Sequence, residues 1–308
     1  MGILDDKVAV VTGAGRGIGR AEAMCLAAEG AAVIVNDLGC GLGDNVADKE
    51  AAEVVVTQIR ESGGTAIIDN SDVSSWKEAS ALVERSFDEF GRLDILVNNA
   101  GNLRDRTIAK LTSGEWDEVI SVHLRGHAAM LHHAARRWRI ASKSGVPVSA
   151  SVVNTASEVG LFGNPGQVAY AAAKGGIIAM TLTAARELAR YGVRSNVVCP
   201  RARTRMTEHA FGGDSMGSRS GFDEWAPANV APFVAYLGSD EAKGINGQVF
   251  VVGGSRVRLQ QGWTDAAVIE NESSAFDVAT ISSRVHELFD GRLSVPVEPE
   301  MLPGMSRA

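Results

Sequence analysis

Short apolar runs alternate with longer stretches of helical periodicity along most of the chain. Residues 7–12 (KVAVVT) and 32–36 (AVIVN) are continuous, β-branched runs that suit strands buried on both faces. Further strands are predicted at about 64–70, 93–97, 149–154, 193–199 and 248–252. Between them, the pattern predicts helices at about 20–29, 49–62, 76–90, 113–141, 168–191 and 227–237. Strands and helices in strict alternation define an α/β protein with a doubly wound parallel sheet of about seven strands. A single domain, 1–254, is expected, followed by an extension, 255–308. The extension holds one amphipathic helix at about 277–289 and a tail with Pro296, Pro299 and Pro303. Covering a cleft, contacting a second subunit and remaining partly loose are all open to it.

A sheet of this kind binds ligands beyond the carboxyl ends of its strands, where the connections change direction. The chemistry-bearing residues fall there. Gly13-Ala14-Gly15-Arg16-Gly17-Ile18-Gly19 joins the first strand to the first helix. Its glycines allow close backbone approach, and the helix N-terminus offers N–H groups to a pyrophosphate. Asp37 ends the second strand, where a carboxylate accepts hydrogen bonds from an adenosine ribose and repels a 2′-phosphate. That favours NAD over NADP, with Arg16 as the counter-evidence. Asp72-Val73 follows the third strand near an adenine position, although Asp72 also suits a helix cap. Asn98-Asn99-Ala100-Gly101 ends the fourth strand.

Ser157 follows the fifth strand, and Tyr170 and Lys174 share a helix face at a spacing of four. A lysine ammonium favours the phenolate of a neighbouring tyrosine, and a serine hydroxyl can hold a carbonyl or alcohol oxygen. Such a proton-transfer site needs no metal. His123 and His127 also share a helix face, but no third ligand is indicated, and no metal is expected. Residues 204–225, rich in Gly, Ser, Met and Arg, read as a mobile segment over the site. Arg201, Arg203 and Arg205 suit either phosphate contacts or a solvated basic surface.

Composition narrows the classes. The 308 residues carry a net charge of −7 without a basic block, which argues against nucleic acid. No run of about 18 apolar residues stands out as a membrane span, and no targeting peptide is evident. Cys25, Cys40 and Cys199 lack disulfide-framework or metal spacing, so a cytoplasmic location is expected.

Taken in order, Thr12 to Gly19, Asp72, Asn98 to Gly101, Ser157 and Tyr170-x-x-x-Lys174 resemble the short-chain dehydrogenase/reductase family over about 7–254. The resemblance implies a Rossmann-like fold and hydride exchange between a nicotinamide and a carbinol carbon. It implies that Tyr170 is the acid/base, that Ser157 orients the substrate oxygen, and that Lys174 lowers the tyrosine pKa and binds ribose. It adds Asn99, Ala100, Gly101, Pro200 and Thr204 to the cofactor contacts. His123 stands where the family commonly has a relay asparagine, and Arg201 where it has glycine after Pro200. Asn36-Asp-Leu-Gly39, Arg104-Asp-Arg-Thr107 and Val122-His-Leu-Arg-Gly126 are similar to the dehydrogenase part of peroxisomal-type multifunctional β-oxidation enzymes. That likeness implies an NAD-dependent enzyme for a 3-hydroxyacyl-CoA or hydroxysteroid, assembled as a dimer or tetramer. The alternatives are an NADPH-dependent 3-oxoacyl carrier-protein reductase and a non-catalytic dinucleotide-binding regulator.

Overall fold

The computed structural model describes residues 2–40, 50–206, 221–271 and 275–289. Most of the segment read as mobile and the Pro-rich tail lie outside these residues. Among the described residues, one compact unit contains the sheet and runs to Gln260, and a second begins at Gln261.

Among the described residues eight strands form the sheet, one more than expected. They are β1 (Val8–Thr12), β2 (Ala32–Asn36), β3 (Thr65–Asp69), β4 (Ile95–Asn98), β5 (Ala150–Thr155), β6 (Val193–Pro200), β7 (Val249–Gly253) and β8 (Arg256–Gln260). Their order is β3-β2-β1-β4-β5-β6-β7-β8. All neighbours pair in parallel except β7 and β8, which form an antiparallel hairpin. The order reverses between β1 and β4, so the ligand crevice opens above those two strands.

Alternation along the strands builds two cores. Ala9, Val11, Val33, Val35, Ile95 and Val97 face one layer of helices: α1 (Gly17–Ala28), α2 (Glu50–Glu61) and, late in the chain, α8 (Ala231–Gly238). Val10, Ile34, Leu96 and Val152 face the other layer: α3 (Trp76–Phe90), α5 (Gly126–Lys143) and α7 (Val168–Leu188). Leu26 and Leu96 are fully buried, and truncating either to alanine costs about 2–5 kcal/mol. Helix α7 is apolar and long enough, by composition, to match a membrane span together with the turn after it. Ala169, Ala173, Ile177, Ala184 and Leu188 instead lie buried within the protein.

The long helix expected at 113–141 is interrupted. Helix α4 (Ser113–Ile120), capped by a reciprocal Thr112–Glu115 box, passes through a π-helical turn at Ser121–Arg125 before α5 begins. The widened turn contains His123. In the second unit, Asp277 caps α9 (Val278–Arg284) by accepting from the Thr280 N–H at 2.7 Å. The helix ends in a 3₁₀ turn, Val285–Phe289.

Candidate active site

The crevice is built first from backbone. Thr12 Oγ1, at the end of β1, accepts from the N–H groups of Asn99 (3.0 Å) and Ala100 (3.1 Å). The Asn99 side chain donates to the Thr12 and Gly13 carbonyls at 3.0 and 3.2 Å. These bonds tie the glycine turn to the end of β4. A Cβ at Gly13 would stand 2.8 Å from Ala100 Cα, and one at Gly19 would stand 2.4 Å from Asn99 Nδ2. No side chain caps the first turn of α1, and no acidic residue occupies it. Glycine-only approach and an uncapped helix N-terminus fit a dinucleotide pyrophosphate.

A cleft of about 570 Å³ runs along this turn. Gly13, Arg16, Gly17, Ile18 and Asp37 line it, with Asp72, Val73, Asn99, Ala100, Gly101 and Thr204. Gly19 sits behind it, against Gly13. Asp37 is oriented by accepting the N–H groups of Gly15 and Gly39, both at 2.8 Å. Burial, and then the neighbouring Arg16 charge, weakens the hold of Arg205 on its proton, while Asp37 strengthens it. Asp72 accepts the Ser74 N–H at 2.8 Å, and the cap of α3 is Ser75. Thr204 lies over Gly17.

Asn102, Arg104, Glu118 and Val122 also line the cleft, and the sequence reading missed them. Glu118 accepts from the Asn102 side chain at 3.1 Å and from Arg104 Nε at 2.9 Å. The spacing of four between Glu118 and Val122 was the available signal.

Ser157, Tyr170 and Lys174 come together from β5 and α7, outside that lining. The Ser157 hydroxyl accepts the Val159 N–H at 3.2 Å. Burial pushes the Tyr170 phenol up to about 12, against the opposing effect of the nearby Ser157 hydroxyl. Lys174 is buried, and its ammonium lies 5.5 Å from the Tyr170 ring centroid. It donates to the Thr155 carbonyl at 2.6 Å. Burial draws its pKa down to about 7. Desolvation thus opposes both charged forms, and it works against the lowered tyrosine pKa that the resemblance implies. Helix α6 (Val159–Phe162) follows Ser157, and a Cβ at Gly160 would stand 2.7 Å from the Gly175 nitrogen. The serine turn thus rests directly on the helix that carries Lys174.

His123 meets Tyr170 edge to face, with ring centroids 5.3 Å apart. Its Nε2 lies 3.0 Å from the Asn102 nitrogen and 2.7 Å from the Asn102 oxygen. Among the described residues its Nδ1 has no hydrogen-bond partner. Gly101 makes room for the ring, since a Cβ there would stand 2.3 Å from His123 Cε1. His127, one turn on, is also buried, and desolvation together with the Lys174 charge lowers it to about 3. Both imidazoles are neutral at physiological pH.

Pro200 ends β6 and Arg201 follows it. Neither Arg201 nor Arg203 forms a solvated basic surface. Arg201 forks onto Glu158 with two bonds of 2.6 Å, and Arg203 pairs with Asp223.

The short chain dehydrogenase family model matches residues 7–212. Hydroxyacyl-CoA dehydrogenase ChsB1 of Mycobacterium tuberculosis is 42% identical over 292 residues, 94% of this chain and 90% of the relative. The peroxisomal hydratase-dehydrogenase-epimerase of Saccharomyces cerevisiae is 35% identical over 93% of this chain, which spans 30% of that longer protein. A crystal structure of a short chain dehydrogenase from Mycobacterium avium is 45% identical, with a TM-score of 0.85, covering 96% of this chain and 98% of that one. The peroxisomal names of the yeast protein and of further eukaryotic relatives overturn the cytoplasmic location expected above. Scattered thiols report a reducing environment and do not distinguish one compartment from another. The chain belongs to the short-chain dehydrogenase/reductase family and is an NAD(P)-dependent oxidoreductase acting on CH–OH groups.

Proposed function

We propose that this enzyme oxidises a 3-hydroxyacyl-CoA or hydroxysteroid with NAD. The observation that carries the coenzyme half is the Asp37 carboxylate, fixed in the cleft by two backbone N–H groups. A carboxylate held there accepts from ribose hydroxyls and repels a 2′-phosphate. The substrate half draws on the similarity to a hydroxyacyl-CoA dehydrogenase along nearly the whole of both chains.

In this reading the glycine turn and the start of α1 hold the pyrophosphate, and Asp37 holds the adenosine ribose. When bound, the nicotinamide serves as hydride acceptor. Ser157 donates to the substrate oxygen and keeps it beside Tyr170. Tyr170 takes the hydroxyl proton during oxidation and returns it during reduction. Lys174 in its charged form favours the phenolate, offsetting the burial that otherwise keeps the phenol protonated.

The test is a screen of 3-hydroxyacyl-CoAs and hydroxysteroids with each coenzyme, followed by absorbance of the reduced nicotinamide. Turnover with NAD and either substrate class is the expected result. Preference for NADPH and an acyl carrier-protein thioester would refute the proposal. That second reading has one specific observation in its favour, the neighbouring Arg16 and Arg205 beside Asp37.

A further inference from the structure

We infer that Arg201 and Glu158 form a positioning clamp that fixes the Ser157 turn against the end of β6. Two residues carry the two halves of the site. Ser157 is followed directly by Glu158, and Pro200, which ends β6, is followed directly by Arg201. Arg201 Nε and Nη2 each meet one oxygen of Glu158 at 2.6 Å. Their side chains are only 16% and 14% exposed, so the pair is shielded from solvent. Paired planar groups of this kind fix direction as well as distance.

The backbone is shaped to accept the pair. The Arg201 N–H donates to the Val252 carbonyl at 2.7 Å. A Cβ at Gly253 would stand 2.5 Å from the Arg201 oxygen and 2.6 Å from its Cβ, so β7 needs glycine where Arg201 passes. On its other side the serine turn abuts α7 through Gly160. Ser157 is thereby held between α7, which carries Tyr170 and Lys174, and the carboxyl end of β6. The ion pair adds a side-chain tie, one residue beyond Ser157, to the backbone bond from the Ala156 N–H to the Val198 carbonyl of β6 at 2.8 Å. Arg201 and Glu158 act through Ser157 and are positioning residues.

Arg201→Gln, Glu158→Gln and Arg201→Lys are compared with the parent by steady-state kinetics and NADH fluorescence titration. Displacement of a catalytic group by about 1 Å costs up to about 100-fold in rate. The two glutamine variants are expected to lose at least about tenfold in kcat while NADH affinity stays within about twofold. Arg201→Lys, which keeps the charge but loses the fork, is expected to fall between them and the parent. A crystal structure of Arg201→Gln is expected to show the 157–160 turn displaced from Tyr170.

The inference rests on Ser157 acting on the substrate oxygen, not on which alcohol is oxidised. Turnover of a secondary alcohol by the parent in the substrate screen supplies the kinetic assay, and failure of acyl-CoAs there bears on the proposed substrate alone. The clamp is overturned if the glutamine variants keep kcat within about twofold of the parent. It is also overturned if the 157–160 turn is unmoved in the Arg201→Gln crystal. Parallel loss of kcat, NADH affinity and thermal stability, with no rescue by lysine, would show a merely structural pair and overturn it equally.

Discussion

Replacing Lys174 with methionine is expected to destroy turnover and stabilise the fold at the same time. The lysine is buried, and its pKa falls from 10.5 to about 7 through desolvation. A shift of that size corresponds to about 5 kcal/mol of penalty for holding the ammonium inside the protein. The bond to the Thr155 carbonyl returns about 1.5–3 kcal/mol, as bonds from charged donors do. Methionine fills a similar volume without either effect, so a net gain of about 2–3.5 kcal/mol is expected at pH 6.

The gain must depend on pH. A depressed lysine pKa means that above pH 7 the native state has released its proton while the unfolded chain still holds one. Parental stability therefore rises by about 1.4 kcal/mol per pH unit relative to the variant, and the difference nearly closes by pH 9. Urea unfolding of both proteins at pH 6, 7, 8 and 9, followed by circular dichroism, measures this directly. His127, lowered to about 3, stays neutral throughout that range. A variant less stable than the parent at pH 6, or a difference that is flat with pH, would refute the reasoning.

Three further outcomes follow from single residues. Glu22 is buried in α1, its Oε2 has no hydrogen-bond partner among the described residues, and desolvation raises it to about 8. The unfolded chain ionises this carboxyl first, so the native state loses stability as pH rises above 4.5. Glu22→Gln should therefore gain about 3 kcal/mol at pH 7 and much less at pH 5, as read by denaturant midpoints. Gly101→Ala would drive a methyl into the His123 ring; a loss of about 1–3 kcal/mol in stability and a drop in kcat are expected from calorimetry and kinetics. Tyr170→Phe should abolish turnover and leave NADH fluorescence titration unchanged, and retained turnover would remove the tyrosine from its assigned role.

Most of the sheet was legible because each central strand is an apolar run and the glycine turn is a local feature. Strand β8 was not. Its sequence, Arg256-Val-Arg-Leu-Gln260, is charged, and Val257 and Leu259 are exposed on the sheet edge. Pairing with β7 through the turn at Gly254, with φ of +56°, makes it a strand. Periodicity also could not reveal the π turn at His123, because an altered hydrogen-bond register leaves the spacing of apolar residues intact over so short a stretch. The glycine turn, Asp37 and the Ser157, Tyr170 and Lys174 trio were readable from motif order. The Arg201–Glu158 pair joins residues 43 positions apart, and burial of Lys174 depends on packing from several elements. Neither property is written locally in the chain.

The fit of His123 against Gly101 constrains how this site changes over generations. While histidine occupies 123, any side chain at position 101 must push the ring aside, because the ring already fills that space. The two positions are therefore coupled: a side chain added at 101 must displace the His123 ring, and a smaller residue at 123 would relieve that crowding.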